Sequence, residues 1–197
     1  IHDMTLERTT NGSGYVRDHT LEQLQSLDAG AWYGEHFAGE RIPTLGELFD
    51  LVRDRDIVIN IELKNSKFPY KGLEERVMEL IIEAELEERI ILSSFNHGSL
   101  THCKNINPNI NPGMLYQNSL YKLWAHVRRV KADALHASFP NVNKRMVDKA
   151  HMNGLMVNVW TVNERADMKS LLHSNIDGII TDFPDRWIKI ISEEVTP

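Results

Sequence analysis

The sequence has a single cysteine, Cys103, among its 197 residues. One thiol cannot form an internal disulfide and cannot supply a cysteine-rich metal site, so both kinds of stabilisation are excluded. Hydrophobic residues make up 42% of the chain, which is enough for one sizeable core. We therefore expect residues 1–197 to form a single domain around an ordinary hydrophobic core.

Long apolar runs and basic runs are also missing. No stretch approaches the roughly 20 apolar residues that cross a bilayer, so no stable membrane insertion is expected. The formal net charge is −6, and an acidic chain is a poor candidate for sequence-independent nucleic-acid binding or for adhesion to anionic lipid. We expect no nucleic-acid partner, and the oligomeric state stays open.

The sequence begins Ile1-His2-Asp3, without methionine and without a visible signal peptide. These residues resemble the end of a strand whose body would precede Ile1, so any targeting segment is expected upstream. A cytoplasmic location is favoured. A secreted or periplasmic location stays open, because the upstream segment would carry the signal.

Residues 57–64 read IVINIELK and alternate strictly between the two faces of an extended chain. This alternation predicts a strand with two unlike faces, with Glu62 and Lys64 on the polar face near its C-terminal end. Amphipathic helical patterns on both sides predict strand–helix–strand units in a parallel sheet. Five further strand-like segments, each separated by a helix, bring the predicted total to six parallel strands.

No glycine-rich fingerprint follows any strand, and this absence argues against a doubly wound nucleotide-binding sheet. We predict an α/β fold of the TIM type, a distorted (β/α)8 barrel whose first two strands would precede Ile1. Residues 5–41 are irregular and too long for an ordinary loop, so we predict a small insertion subdomain there.

Glu62 and Lys64 are the first candidates for chemistry, because active sites of parallel β/α folds lie at the C-terminal ends of strands. A carboxylate at that position can bind a hard cation such as Mg²⁺ or Ca²⁺, and an ammonium can meet an anionic substrate. An internal ion pair that only stabilises the barrel interior explains the same two residues. The spacing does not separate these two interpretations.

Further candidates are weaker on pattern alone. His2 is of the residue type most often used for proton transfer, but with nine histidines in the chain a surface or packing role is favoured. Trp160 shares a strand face with Asn158 and can wall a substrate pocket or simply pack in the core. Ser93 and Ser94 have no evident base partner, so no serine nucleophile is proposed.

Several short motifs follow one another along the chain in a defined order and spacing. They are His2-Asp3, LERTTNG at 6–12, LDAG at 27–30, RIPTL at 41–45, IELK at 61–64, SSF at 93–95, WTVN at 160–163 and GIITD at 178–182. By these motifs the sequence resembles the glycerophosphodiester phosphodiesterases of the bacterial type with a small insertion. The similarity covers essentially the whole chain, and its specificity lies in the order and spacing of the segments.

The resemblance implies a distorted β/α barrel that hydrolyses glycerophosphodiesters, such as glycerophosphocholine or glycerophosphoethanolamine, to sn-glycerol 3-phosphate and an alcohol. By position, His2 corresponds to one of two histidines that exchange protons during the reaction. Glu62 corresponds to one of three carboxylate ligands of a single divalent cation, Mg²⁺ or Ca²⁺. Lys64 corresponds to a catalytic and substrate-binding cation that steadies the phosphate charge, and Trp160 and Phe95 correspond to walls of the substrate pocket.

The resemblance also implies that the family's first histidine and a Glu-x-Asp metal pair would precede Ile1. Two alternatives stay open. One keeps the fold and changes the substrate, as in a lysophospholipase D-like or sphingomyelinase D-like phosphodiesterase. The other is a non-catalytic barrel that binds phosphate ligands or partner proteins.

Overall fold

The computed structural model describes residues 1–195, and its internal contacts divide the chain into two compact units. The first unit contains residues 1–57 and 67–85. The second contains residues 58–66 and the chain from Leu86 onward. No helix within the described residues is long and apolar enough to cross a membrane. The predicted single domain with a 5–41 insertion stays a prediction.

The first unit holds three α-helices, α1 (Leu21–Gln25), α2 (Leu45–Val52) and α3 (Leu73–Glu83). The hydroxyls of Thr20 and Thr44 cap the first two helices by accepting from the backbone N–H three residues later. The side chains of Gln23 and Glu47 complete a capping box by accepting from the cap residue's own N–H. The two threonines therefore fix where α1 and α2 begin.

The second unit is a six-stranded parallel sheet with helices between the strands. The strands are β1 (Ile59–Glu62), β2 (Ile90–Ser94), β3 (Asn111–Tyr116), β4 (Ala134–Ser138), β5 (Met156–Trp160) and β6 (Gly178–Ile179). The helices are α4 (His97–Ile106), α5 (Leu123–Val130), α6 (Lys144–His151), α7 (Arg165–Leu171) and α8 (Pro184–Val195). The strands pair in chain order from β1 to β6 without a switch point. This order confirms the predicted barrel-type α/β fold over the doubly wound alternative.

Alternate residues of β4 and β5 face two different environments. Leu135 and Ala137 of β4 and Val157 of β5 are fully buried in an apolar cluster with side chains from the surrounding helices. The residues between them, including His136 and Asn158, lie on the other face, which in a barrel is the interior. Because the apolar side chains of these strands are buried against the helices, the side chains at the alternate positions face the interior.

The sheet is strongly curved. Phe95 directly follows β2 and Trp160 ends β5, so in a flat sheet three strand spacings, about 14 Å, would separate them. Their ring centroids are 5.5 Å apart in an edge-to-face contact. The curvature brings the C-terminal ends of non-neighbouring strands together, as a barrel architecture requires.

Candidate active site

Glu62 and Lys64 lie at the C-terminal end of β1, as predicted. Glu62 is the last residue of the strand and pairs in register with Ser93 of β2. The Lys64 ammonium lies 2.8 Å from Oε1 of Glu62, and each side chain keeps about a quarter to a third of its surface exposed. The pair is thus neither sealed in the core nor fully solvated, and both charges can reach a ligand at this end of the sheet.

A buried asparagine fixes the backbone on which Lys64 sits. Asn65 is 5% exposed, and its side-chain amide donates to the hydroxyl of Ser99 at 2.8 Å. The hydroxyl of Ser94 donates to the Leu63 carbonyl at 2.9 Å and lies 3.3 Å from Oδ1 of Asn65. The residues on either side of Lys64 are therefore tied to β2 and α4, which limits the positions available to the ammonium.

Replacing Asn65 with alanine is expected to lower the free energy of unfolding by roughly 1–3 kcal/mol, because buried partners lose their hydrogen bonds. Urea unfolding followed by circular dichroism would measure the change. Asn153→Ala is the matched control, since its exposed amide donates only to the Lys149 carbonyl in a helix-terminal contact. A urea midpoint equal to that of the native protein would show that the Asn65 network contributes nothing to stability.

Phe95 and Trp160 form an aromatic wall at the same end of the sheet. The indole N–H of Trp160 donates to the His136 carbonyl at 2.8 Å, which fixes the orientation of the ring. Phe95 meets that ring edge to face and stays 38% exposed. Two of the residues predicted to bind substrate are therefore in direct contact, and their partly exposed faces can pack against the apolar part of a ligand.

His136 lies in the interior face of the sheet and was not anticipated from the sequence. Its Nε2 is 3.1 Å from the side-chain amide of Asn158, so this nitrogen is the hydrogen-bond acceptor. Burial lowers the pKa of His136 to about 4. The ring is therefore neutral at pH 7 and packs in the interior. His136 lies two residues before Ser138 in β4, so side-chain alternation along the strand could have placed both on the interior face.

In the first unit, His2 is oriented by its neighbour in the sequence. Nδ1 of His2 lies 2.8 Å from Oδ1 of Asp3, and Arg8 binds the same carboxylate through Nε and Nη2 at 2.5 and 2.9 Å. The hydrogen bonds from Arg8 and His2 hold the pKa of the Asp3 carboxyl well below its usual range. A carboxylate only accepts, so Nδ1 of His2 is the donor in this contact, which orients the imidazole ring.

The donor set for a divalent cation is partial. The Glu62 carboxylate is a hard oxygen ligand of the kind that Mg²⁺ and Ca²⁺ prefer. Within residues 1–195, no group of three or more His, Cys, Asp or Glu side chains could hold a metal ion. The chemistry of Glu62 fits a hard cation, and a complete site needs ligands in addition to it.

Comparison with known proteins gives consistent results. Residues 1–186 match the sequence model of the glycerophosphoryl diester phosphodiesterase family. A glycerophosphodiester phosphodiesterase of Caldanaerobacter subterraneus is 44% identical over 97% of this chain and 79% of its own length. A second, from Bacillus altitudinis, is 38% identical over 98% of this chain and 80% of its own length.

Solved structures show the same relationship. A phosphodiesterase of Oleispira antarctica in complex with the product sn-glycerol-3-phosphate superimposes with a TM-score of 0.85 at 27% identity, covering 98% of this chain and 78% of that one. A putative glycerophosphoryl diester phosphodiesterase of Silicibacter pomeroyi gives a TM-score of 0.87 at 25% identity, with the same coverage of both chains.

Proposed function

Since the chain belongs to the glycerophosphoryl diester phosphodiesterase family, we propose that it hydrolyses glycerophosphodiesters such as glycerophosphocholine and glycerophosphoethanolamine to sn-glycerol 3-phosphate and an alcohol. It is an enzyme of the phosphoric diester hydrolase class, so the non-catalytic barrel considered above is set aside. The observation that carries the proposed mechanism is the Glu62–Lys64 ion pair at the end of β1.

Each proposed role follows from the charge and shape of the substrate. A phosphodiester is anionic, so the Lys64 ammonium binds it and offsets the charge that builds up on the phosphate oxygens. Phe95 and Trp160 pack against the glycerol carbons and hold the substrate in one orientation. His2, held through Nδ1 by Asp3, uses Nε2 to exchange a proton with the nucleophile or the leaving group.

A divalent cation, Mg²⁺ or Ca²⁺, is the proposed cofactor. Glu62 would hold it through a carboxylate oxygen, as one ligand among several. When bound, such a cation acts as a Lewis acid toward phosphate oxygens. The Lys64 ammonium lies 2.8 Å from the Glu62 carboxylate. A fixed positive charge of the protein therefore also lies beside Glu62, the proposed metal ligand.

Removal of the cation tests this proposal. The release of sn-glycerol 3-phosphate from glycerophosphocholine is expected to stop in excess chelator and to return when Mg²⁺ or Ca²⁺ is added. Glu62→Gln is expected to raise the cation concentration needed for half-maximal activity about tenfold or more. Titration calorimetry would report the same loss as weaker cation binding.

Glu88→Gln is the matched control, because Glu88 is exposed and precedes β2 at the opposite end of the sheet. This variant should keep the native cation requirement. Full activity in chelator, together with native behaviour of Glu62→Gln, would remove both the cation and Glu62 from the mechanism.

A further inference from the structure

The acidic net charge of the chain conceals a strongly uneven distribution of charge. The whole sequence has 28 acidic and 22 basic residues. Residues 90–163 contain eight lysines and arginines but only two acidic residues, Asp133 and Asp148. The excess of negative charge therefore lies entirely outside this segment, which forms most of the parallel sheet and the helices α4 to α6.

Both acidic side chains in the segment are already paired. Asp133 lies 2.8 Å from the Lys104 ammonium, and Asp148 lies 2.7 Å from the Lys144 ammonium. The other six cations are all exposed and belong to α5, α6 and the residues that flank α5. They are Lys122, Arg128, Arg129, Lys131, Arg145 and Lys149, which together we call the α5–α6 surface.

A contact between α5 and α6 links cations of the two helices. The Lys149 ammonium of α6 lies 5.1 Å from the centroid of the Trp124 ring of α5. Arg128 follows Trp124 by one helical turn, and Arg145 precedes Lys149 by one turn, so each shares a helix face with its neighbour in this contact. Their charges therefore reinforce one another along the junction of α5 and α6.

Large apolar side chains project beside the cations. Tyr121 is 87% exposed, and the Lys122 ammonium lies 5.1 Å from the centroid of its ring. Met152, one turn after Lys149, is 86% exposed. Exposed apolar side chains between lysines and arginines are typical of protein surfaces that lie on a bilayer, where the cations meet headgroups and the apolar groups enter the interface.

We propose that the α5–α6 surface binds reversibly to bilayers that contain anionic phospholipid. Charge complementarity favours an anionic partner. The exposed Tyr121 and Met152 favour a lipid bilayer over nucleic acid, because nucleic acid has no apolar region into which a methionine side chain can insert. Glycerophosphodiesters have the skeleton of a phospholipid headgroup, so binding at the bilayer would hold the enzyme where such compounds are released by deacylation.

The test is co-sedimentation of the full chain with vesicles. We expect binding to vesicles of phosphatidylcholine with about one third phosphatidylglycerol, little binding to phosphatidylcholine alone, and release between about 0.05 M and about 0.5 M salt. Each neutralised cation is expected to weaken binding roughly fivefold. A variant with Arg128, Arg129, Arg145 and Lys149 all changed to glutamine should therefore lose detectable binding.

The control variant removes the same number of charges elsewhere, through glutamine at the exposed Lys71, Arg76, Lys169 and Lys189. It should bind anionic vesicles as the native chain does, and both variants should hydrolyse soluble glycerophosphocholine at the native rate, which shows that they are folded. Equal losses in the two variants, absence of binding to anionic vesicles in low salt, or binding to RNA without binding to vesicles would each overturn the proposal.

Discussion

Replacing Lys64 with methionine is expected to lower kcat/KM for glycerophosphocholine by about 100- to 1,000-fold, the usual effect of removing a charge that stabilises a developing anion. Methionine keeps most of the length and apolar bulk of the lysine stem, so the loss reports the ammonium itself. The Asn65 network holds the backbone beside residue 64. Initial rates of sn-glycerol 3-phosphate release in saturating cation would measure the change.

Lys104→Met is the matched control. Lys104 also makes a 2.8 Å ion pair, with Asp133. Lys104 lies in α4, which precedes β3, and Asp133 directly precedes β4, so this ion pair is at the opposite end of the sheet. Its loss should reduce stability and leave turnover near the native value. Lys64→Arg should recover part of the activity, because it restores the charge in a bulkier form. If Lys64→Met kept activity within a few-fold of native, the lysine would have no part in the mechanism.

The alternation of side chains predicted the strands well but not their ends. Residues 57–64 were expected as one strand, and the structure places β1 over Ile59–Glu62. β1 pairs with β2 through those four residues, while Ile57 and Val58 are exposed. Strand length is set by pairing with residues about 30 positions away, and a local pattern carries no information on that pairing.

Two short sequence patterns do not form the local structure that they usually indicate. Asn-Pro-Gly is typical of a turn, yet Asn111-Pro112-Gly113 lies within β3. Gly113 is required there by its neighbour, because a Cβ at this position would lie 2.6 Å from Nε2 of His136. Asparagine is a common helix cap, yet the Asn163 side chain, just before α7, forms hydrogen bonds with Thr181 and Asp182 instead. Both residue types are common in turns and caps, and a distant contact decided their use.

The candidate site was predictable where its residues are neighbours in sequence. Glu62 and Lys64 share a strand face two residues apart, so their contact follows from the alternation alone. The contact of Phe95 with Trp160 depends on the curvature of the whole sheet. Asn65 reads as an ordinary loop residue, because its partner Ser99 is 34 positions away. The roles of these residues in catalysis stay predictions until the variants are measured.

Replacing His2 with alanine is expected to lower kcat by about 100-fold or more, the typical cost of a lost proton-transfer group. Asp3 holds Nδ1 at 2.8 Å and is itself held by Arg8, so Nε2 is presented in a defined orientation and tautomer. Cation affinity measured by calorimetry should not change, since His2 has no proposed role as a ligand. The steady-state rate at saturating substrate isolates the effect on turnover.

His19→Ala is the control within the same unit, because the Nδ1 of His19 is also held, by the Tyr15 carbonyl at 2.9 Å. It should retain native turnover. The turnover of Asp3→Asn should lie between those of His2→Ala and His19→Ala. An amide can still contact Nδ1 of His2 but no longer fixes the tautomer through its charge. Its pH–rate profile should differ from the native profile, whereas a merely structural role would change stability and leave the profile in place. Native turnover by His2→Ala would assign proton transfer to other groups.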